Sequence, residues 1–364
     1  MALSIGIVGL ANVGKSTLFN ALTDANALIA NYPFATIEPN TGVVPVPDER
    51  LQKLAEIYKT EKIVPATVTF VDIAGLVEGA SKGEGLGNQF LAHIRGTNAI
   101  CHVVRAFEDE NVTRAGSTNP KHDIEIINTE LALADLQTVN NRLPKLQKEA
   151  KADPKLKPIL DAVEHAKDFL DSDRPLFAEN EEWRMKNQEY LEDLFLLTIK
   201  PVIYVFNLDE ESLQALQGGS LQKQMEELVK PARAIFVSAK LESELRGLDE
   251  ANRAELLESY GQKESGSVQL IHAAYDTLGL QSFLTAGEKE VRAWTIPKST
   301  TAQQAAGVIH TDFARGFIAA QVVNYNDLIE AGSLVAARAA GKVRTEGRDY
   351  VMQPSDVVEF RFNV

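Results

Sequence analysis

The chain has 364 residues, 45% of them hydrophobic and 24% charged, which indicates a globular protein of two or three domains and excludes the disordered and fibrous classes. It shows no apolar stretch long enough to cross a bilayer, no basic and apolar leader before the first predicted strand, and a single cysteine, so we expect a cytoplasmic protein with no internal disulfide and no membrane contact. The formal net charge of −14 argues against broad electrostatic attraction to nucleic acid or anionic lipid.

A phosphate-binding loop is predicted at residues 9–17. The segment GLANVGKST matches the pattern G-x-x-x-x-G-K-[ST] and lies between an apolar run at residues 3–8 and the amphipathic start of a helix. In this context successive backbone N–H groups and the helix N-terminus close around a polyphosphate. Lys15 is therefore predicted to reach the outer phosphates, and Ser16 is predicted to bind Mg²⁺.

Two further segments fit the loops of a nucleotide switch. Residues 31–40, NYPFATIEPN, predict an irregular loop in which Thr36 closes over Mg²⁺ when the last phosphate is present. Residues 67–72, TVTFVD, predict a buried strand that ends at Asp72, whose carboxylate would hold a Mg²⁺-bound water. The N–H of Gly75 would bond the terminal phosphate and sense its loss, so Asp72 and Gly75 join Lys15 as candidate catalytic residues.

Leu76 follows, at the position where many signalling GTPases have a glutamine that orients the attacking water. Without that side chain we expect slow hydrolysis or dependence on another group, and intrinsic switch NTPases already turn over at roughly 10⁻⁴ to 10⁻² per second. The glycines at 83, 85 and 87 lack the spacing of a dinucleotide fingerprint, so we interpret residues 76–88 as a second switch loop.

A helical insertion is predicted at residues 129–197. Apolar residues recur there at intervals of three and four, which indicates antiparallel helices in a hairpin or short coiled coil. Pro144 is expected to kink or interrupt the first helix. Such an arm could bind a partner or serve only as scaffold.

The predicted sheet resumes at residues 200–206 and ends in Asn207-Leu-Asp-Glu210. Base-reading loops of guanine-nucleotide switches have the form N-K-x-D, in which the aspartate accepts bonds from guanine N1 and N2. Leu208 and Glu210 replace the lysine and the aspartate here, while an asparagine can satisfy both N6 and N7 of adenine. The loop is therefore interpreted as unsuited to guanine and suited to adenine.

A second base-contacting segment is predicted at Ser238 and Ala239, directly after the strand at residues 234–237. All of these loops leave the carboxyl ends of strands, where ligands bind in open parallel sheets. We therefore expect one nucleotide site built from several separate loops.

These motifs together resemble the YchF subfamily of Obg-like P-loop ATPases over nearly the whole chain. The resemblance implies an α/β P-loop NTPase domain with a mostly parallel sheet at residues 1–128 and 198–278, the helical insertion at 129–197, and a C-terminal β-grasp (TGS) domain at 279–364. It also implies preference for ATP over GTP, and association with ribosomes, on the large subunit. The stretches that carry the resemblance are residues 8–17, 32–40, 72–87, Asn207 with Glu210, KEVRAW at 289–294 and HTDF at 310–313.

By this resemblance, Ser16 and Thr36 would bind Mg²⁺. The residues that would contact the phosphates are Asn12, Val13, Gly14, Lys15, Ser16 and Thr17, and those near adenine are Asn207, Leu208, Glu210, Ser238 and Ala239.

The chain departs from the family at two positions. Relatives often have a cysteine where this chain has Ala35, and many have a histidine in the loop that here contains Thr113 and Arg114. One hypothesis is that Arg114 offsets developing phosphate charge; the alternative is an ordinary surface arginine. A second hypothesis is that Asn12 places a monovalent cation beside the phosphates.

Positive charge in the C-terminal part suggests a place for contact with rRNA, since residues 279–364 carry nine basic and nine acidic residues on an otherwise acidic chain. Arg338, Lys342, Arg344 and Arg348 could touch rRNA or simply solvate the fold. The predicted function is a Mg²⁺-dependent ATPase switch that reports its nucleotide state to the ribosome. Two alternatives remain at this point: an Obg-type GTPase with relaxed base choice, and a ribosome-binding factor whose hydrolysis is incidental.

Overall fold

A computed structural model of the protein describes residues 3–24, 40–73, 75, 86–107, 119–172, 174–216 and 219–363. The chain forms two compact units: Met1–Val44 with Thr69–Leu278, and Pro45–Val68 with Gly279–Val364. No helix within the described ranges is both long and apolar enough to span a bilayer.

The strands and helices of the described residues are numbered in chain order. The strands are β1 Ser4–Val8, β2 Asn40–Pro45, β3 Ile63–Val64, β4 Thr67–Asp72, β5 Ala99–Arg105, β6 Val202–Asn207, β7 Arg233–Val237, β8 Leu280–Ala286, β9 Val291–Pro297, β10 Phe317–Asn324, β11 Arg344–Glu346 and β12 Asp356–Phe362. The α-helices are α1 Lys15–Asp24, α2 Glu49–Tyr58, α3 Leu86–Arg95, α4 Pro120–Ala152, α5 Lys157–Asp171, α6 Glu181–Leu191, α7 Glu210–Ala215, α8 Ser220–Val229, α9 Ala239–Glu244, α10 Glu250–Ser259, α11 Gly266–Thr277, α12 Ala302–Ile309, α13 Thr311–Arg315, α14 Tyr325–Ala331 and α15 Leu334–Ala339. Short 3₁₀ turns lie at Pro154–Leu156, Leu176–Ala178 and Glu192–Leu194.

The first unit is built on a six-stranded sheet in the order β2-β4-β1-β5-β6-β7. The pairs β1–β4, β1–β5, β5–β6 and β6–β7 are all parallel. The central strand β5 is buried along its whole length, as expected of a strand covered on both faces. The predicted parallel sheet is thus confirmed, and it brings the carboxyl ends of β1, β4, β6 and β7 to one edge.

The helical insertion is confirmed, but of the two effects expected of Pro144, a kink or an interruption, the interruption does not occur. Helix α4 runs unbroken for 33 residues through Pro144 and begins at Pro120, nine residues before the predicted start of the insertion. The proline removes one backbone hydrogen bond, which the apolar packing of the hairpin outweighs. The buried residues of that packing are Ala132, Val139, Leu146, Leu160, Ala162, Val163, Ala166, Phe169, Leu170, Leu176, Leu191 and Leu196.

A buried carboxylate joins this arm to the sheet. Asp135 of α4 is fully buried, and its oxygens accept hydrogen bonds from the N–H of Leu197 at 2.8 Å, the N–H of Thr198 at 2.8 Å and the Thr198 hydroxyl at 2.7 Å. Leu197 and Thr198 lie just before β6. The anchor therefore fixes α4 to the segment that re-enters the nucleotide-binding sheet.

The second unit is a mixed six-stranded sheet in the order β11-β10-β12-β8-β9-β3, with α12 packed on it, which agrees with the expected β-grasp arrangement. It begins at Gly279, but it also includes residues 45–68, which the sequence boundaries assigned to the nucleotide domain. The two-residue strand β3 pairs in parallel with β9, joining Ile63 to Val291. Sequence periodicity could not show this pairing because its partners are more than 200 residues apart.

Candidate nucleotide site

The loop between β1 and α1 has the backbone geometry of a phosphate cradle. Gly9 and Gly14 have φ of 157° and 96°, and Asn12 lies in the left-handed region at 61°. A Cβ atom on Gly9 would lie 2.5 Å from the Val103 carbonyl oxygen, and one on Gly14 would lie 2.4 Å from Asn207 Nδ2. Both glycines are therefore required by space as well as by backbone conformation.

Helix α1 begins directly at the end of this loop. Its first turn contains no acidic residue. The first N–H groups of a helix have no partner inside it and form, with the helix dipole, a region of positive potential. The N-terminus of α1 is therefore suited to an anionic ligand such as a phosphate.

Lys15 lies in the centre of the cradle. Its ammonium group is buried and donates a 2.6 Å hydrogen bond to the Leu10 carbonyl. Burial lowers the pKa of Lys15 to about 8, and the nearby Asp72 carboxylate partly opposes that shift. A Cβ on Gly75 would lie 3.0 Å from Lys15 Nζ, so the backbone at Gly75 closely approaches this cation. A bound phosphate would replace the Leu10 carbonyl as the acceptor for Lys15.

Ser16 and Asp72 form a pair of oxygen donors beside the lysine. Asp72 ends β4 and is in register with Ile7 of β1. Burial raises the pKa of Asp72, while Lys15 and a hydrogen bond with the Ser16 side chain lower it. Hydroxyl and carboxylate oxygens are the hard donors that Mg²⁺ prefers, so this pair fits the metal. Thr36 and Arg114, the other predicted metal and catalytic residues, lie outside the described residues.

Asn207 connects the phosphate loop to the base-reading loops. It is buried at the end of β6, where Nδ2 donates to the Val13 carbonyl at 3.0 Å and Oδ1 accepts from the Ala239 N–H at 2.9 Å. These two bonds fix the orientation of the amide. The second Nδ2 hydrogen can serve a base, and a purine N7 is an acceptor in both adenine and guanine.

The carboxylates of the 207–210 segment are both engaged. Asp209 caps α7, accepting from the Ser212 N–H at 2.7 Å and from the Ser212 hydroxyl at 2.9 Å. Glu210 Oε1 lies 2.7 Å from Lys240 Nζ. Leu208 is buried, and its N–H donates to the Val237 carbonyl. The N1 and N2 donors of guanine would therefore compete with these partners for either carboxylate.

These groups line one cleft of about 700 Å³, within the usual range for a small-molecule site. The residues predicted in the phosphate loop and the base loops all line it except Val13, which is buried and bonds Asn207 through its carbonyl. Gly75, predicted to bond the terminal phosphate, is not among the lining residues. The lining residues are Asn12, Gly14, Lys15, Ser16, Thr17, Phe107, Asn207, Leu208, Asp209, Glu210, Ser238, Ala239, Lys240 and Ser243.

Phe107 is the main residue of the cleft that sequence reasoning missed. It follows β5 by two residues, and the Arg105 guanidinium lies 4.3 Å from its ring centroid. The signal was available, since Phe107 lies at the carboxyl end of a parallel strand, like the other site loops. An aromatic face at this position is suited to packing against a base.

Comparison with known proteins decides the family. Over 100% of both chains, the sequence is 50% identical to the "Ribosome-binding ATPase YchF" of Bacillus subtilis and 48% identical to that of Escherichia coli O157:H7. Its fold matches the structure of the Schizosaccharomyces pombe YchF GTPase with a TM-score of 0.85 and 38% identity, covering 99% of this chain and 97% of that one. The chain belongs to the YchF family.

Two family models match separate parts of this YchF-family chain. Residues 4–151 match a model described as 50S ribosome-binding GTPase. Residues 280–363 match the YchF GTPase C-terminal model, described as a protein of unknown function (DUF933). The first match includes the phosphate loop and most of α4, and the second covers the C-terminal part of the mixed-sheet unit.

Replacing Asn207 tests the connection between the loops of this YchF-family site. Asn207→Ala would leave the Val13 carbonyl and the Ala239 N–H without partners, which costs about 1 to 3 kcal/mol for a buried polar group. We expect at least tenfold weaker binding of ATP and GTP alike in calorimetric titrations. Asn187→Ala, which removes a buried asparagine bonded to the Trp183 carbonyl in the arm, is the matched control and should leave both affinities unchanged. Normal affinity in folded Asn207→Ala would contradict this role.

The lowered pKa of Lys15 predicts that nucleotide affinity depends on pH. The free protein loses the Lys15 proton around pH 8, whereas bound phosphates require the ammonium form, so binding takes up a proton above that pH. We expect ATP affinity to fall about tenfold between pH 7 and pH 9. Lys15→Arg stays protonated throughout this range and should bind, more weakly, with no such change. Equal wild-type affinity at the two pH values would refute the prediction.

Proposed function

We propose that this protein is a Mg²⁺-dependent ATPase that acts as a nucleotide switch in the cytoplasm and binds the ribosome through the large subunit. The observation that carries the proposal is the convergence of Lys15, Ser16 and Asp72 at the N-terminus of α1, with Asn207 joining this cradle to the base loops. Family membership supports it, because the full-length relatives are named ribosome-binding ATPases.

Different groups of the cradle would bind the phosphates and neutralise their negative charge. The backbone of residues 12–17 and the dipole of α1 would bind the phosphates, and Lys15 would neutralise charge on the outer ones. Ser16, with Asp72 and the predicted Thr36, would hold Mg²⁺, which supplies charge neutralisation at the phosphate oxygens when bound. The N–H of Gly75 would sense the terminal phosphate. Leu76 replaces the glutamine that orients water in many signalling GTPases, and Asn12 and Arg114 stay hypotheses for the group that assists hydrolysis instead.

The base loops favour adenine because their two carboxylates already have other partners. Guanine offers N1 and N2 donors that need an available carboxylate, and Glu210 is paired with Lys240 while Asp209 caps a helix. Adenine lacks the N2 donor and makes no such demand. The Asn207 amide serves either purine at N7, so discrimination falls to Glu210 and its partner.

The direct test is the ratio of ATP to GTP affinity. Loss of a good bidentate base contact costs about 1 to 3 kcal/mol, so we expect a preference for ATP of roughly fivefold to 150-fold. Lys240→Met frees the Glu210 carboxylate and should lower that preference several-fold by strengthening GTP binding. The matched control is Lys223→Met, an exposed lysine of α8 outside the cleft, which should leave the ratio unchanged. Equal wild-type affinities for ATP and GTP would favour an Obg-type GTPase with relaxed base choice.

A further inference from the structure

The basic residues of the helical arm are concentrated at its closed end. Residues 142–157, here termed the arm tip, contain six lysines or arginines and two acidic residues, a net charge of +4. The rest of the insertion, residues 129–141 and 158–197, contains four basic and thirteen acidic residues. The whole chain carries −14, so all residues outside the tip together carry −18. The tip is a local reversal of charge on an acidic protein.

The arm tip lies at the far end of the hairpin from its anchor. Helix α4 ends at Ala152, a 3₁₀ turn follows at Pro154–Leu156, and α5 begins at Lys157. The 3.1 Å bond from Gln147 to Glu164 shows that α5 returns alongside α4. Asp135 precedes the end of α4 by 17 residues, or about 26 Å at 1.5 Å per residue.

Three lysines of the tip have no ionic partner within the described part of the chain. Arg142 and Lys145 both reach Glu149, at 2.9 and 3.7 Å, and Lys157 pairs with Asp161 at 2.6 Å. The remaining three are exposed, and the ion pairs of the described residues include none of them: Lys148, Lys151 and Lys155. Lys148 and Lys151 are three residues apart on α4, a spacing at which helical residues are surface neighbours.

Screening by salt makes the tip electrostatically independent of the region around its anchor. The Debye length is about 8 Å at physiological ionic strength, and the tip extends about 26 Å beyond Asp135. Acidic charge near the base of the arm is therefore strongly screened at the tip. A polyanion that contacts the tip would be attracted by its positive charge, and salt would weaken the repulsion from acidic residues near the base of the arm.

We propose that the arm tip is an RNA-contacting surface, in which Lys148, Lys151 and Lys155 bind phosphates of the ribosomal RNA backbone. Phosphate contacts of this kind require free ammonium groups and no fixed base geometry, which is what an exposed lysine cluster provides. The proposal rests on the ribosome binding proposed above. It places the RNA contact on the arm, whereas the sequence had suggested the basic residues of the C-terminal part. It does not depend on nucleotide hydrolysis.

The test uses the full chain and fluorescently labelled ribosomal RNA stripped of protein, titrated at 50 to 200 mM salt. Each lysine–phosphate contact contributes about 0.7 to 0.9 to the slope of log affinity against log salt. Replacing the three unpaired lysines by glutamine should therefore lower the magnitude of the slope by about 2 to 3 and reduce affinity most at low salt. The ratio of wild-type to tip-variant affinity for RNA should therefore fall roughly 20- to 40-fold between 50 and 200 mM salt. The tip variant is Lys148→Gln, Lys151→Gln and Lys155→Gln.

Two further triple variants have the same change of charge elsewhere. The first removes exposed lysines from other helices and a loop, and it should keep the wild-type slope: Lys53→Gln, Lys223→Gln and Lys263→Gln. The second removes basic residues of the C-terminal unit: Arg338→Gln, Lys342→Gln and Arg348→Gln. A slope lowered by this second variant and unchanged by the tip variant would overturn the proposal.

Two measurements on the same proteins distinguish an RNA contact from a damaged nucleotide site and from binding of an acidic protein. The wild type and the tip variant should bind ATP with equal affinity. If the wild type does not bind ATP, the proposed ATPase function fails, while the RNA contact is still tested by the salt slope. Poly-glutamate of matched charge should bind more weakly than RNA. If poly-glutamate binds as tightly and with the same dependence on the tip lysines, an acidic protein is the better partner and the RNA proposal fails.

Discussion

One buried amide holds the nucleotide site together. Asn207 bonds the Val13 carbonyl on one side and the Ala239 N–H on the other, and its Nδ2 atom also fills the space that a side chain at position 14 would need. The phosphate loop, β6 and the start of α9 are therefore positioned by the same group.

A second buried group, the Asp135 carboxylate, fixes the arm to the sheet by hydrogen bonds, as Asn207 fixes the loops of the cleft. Its carboxylate accepts three bonds from Leu197 and Thr198, where the chain returns to the sheet after the insertion. Beyond this anchor the hairpin packs on its own apolar core. The distal end of the hairpin is exposed and carries net positive charge, and α4 links that end to the nucleotide-binding unit.

The sequence predicted the parallel sheet, the phosphate loop and the ends of several strands, because these depend on local patterns and on motif spacing. It missed the pairing of β3 with β9 and the inclusion of residues 45–68 in the C-terminal unit, since both depend on contacts between distant residues. Pro144 was expected to kink or interrupt α4, and the interruption does not occur because tertiary packing outweighs local propensity there. The Glu210–Lys240 pair required side-chain positions that motif spacing does not carry, whereas the position of Phe107 just after β5 was a signal that sequence reasoning did not use.

When nucleotide fills the cradle, Lys15 should exchange the Leu10 carbonyl for a nucleotide phosphate. A crystal structure with Mg²⁺ and a non-hydrolysable ATP analogue tests this most directly. We expect phosphates at the N-terminus of α1, Lys15 Nζ bonded to them, and the amide of Asn207 still joining Val13 to Ala239. An empty cradle with Lys15 still on Leu10, or a nucleotide bound elsewhere on the chain, would contradict it.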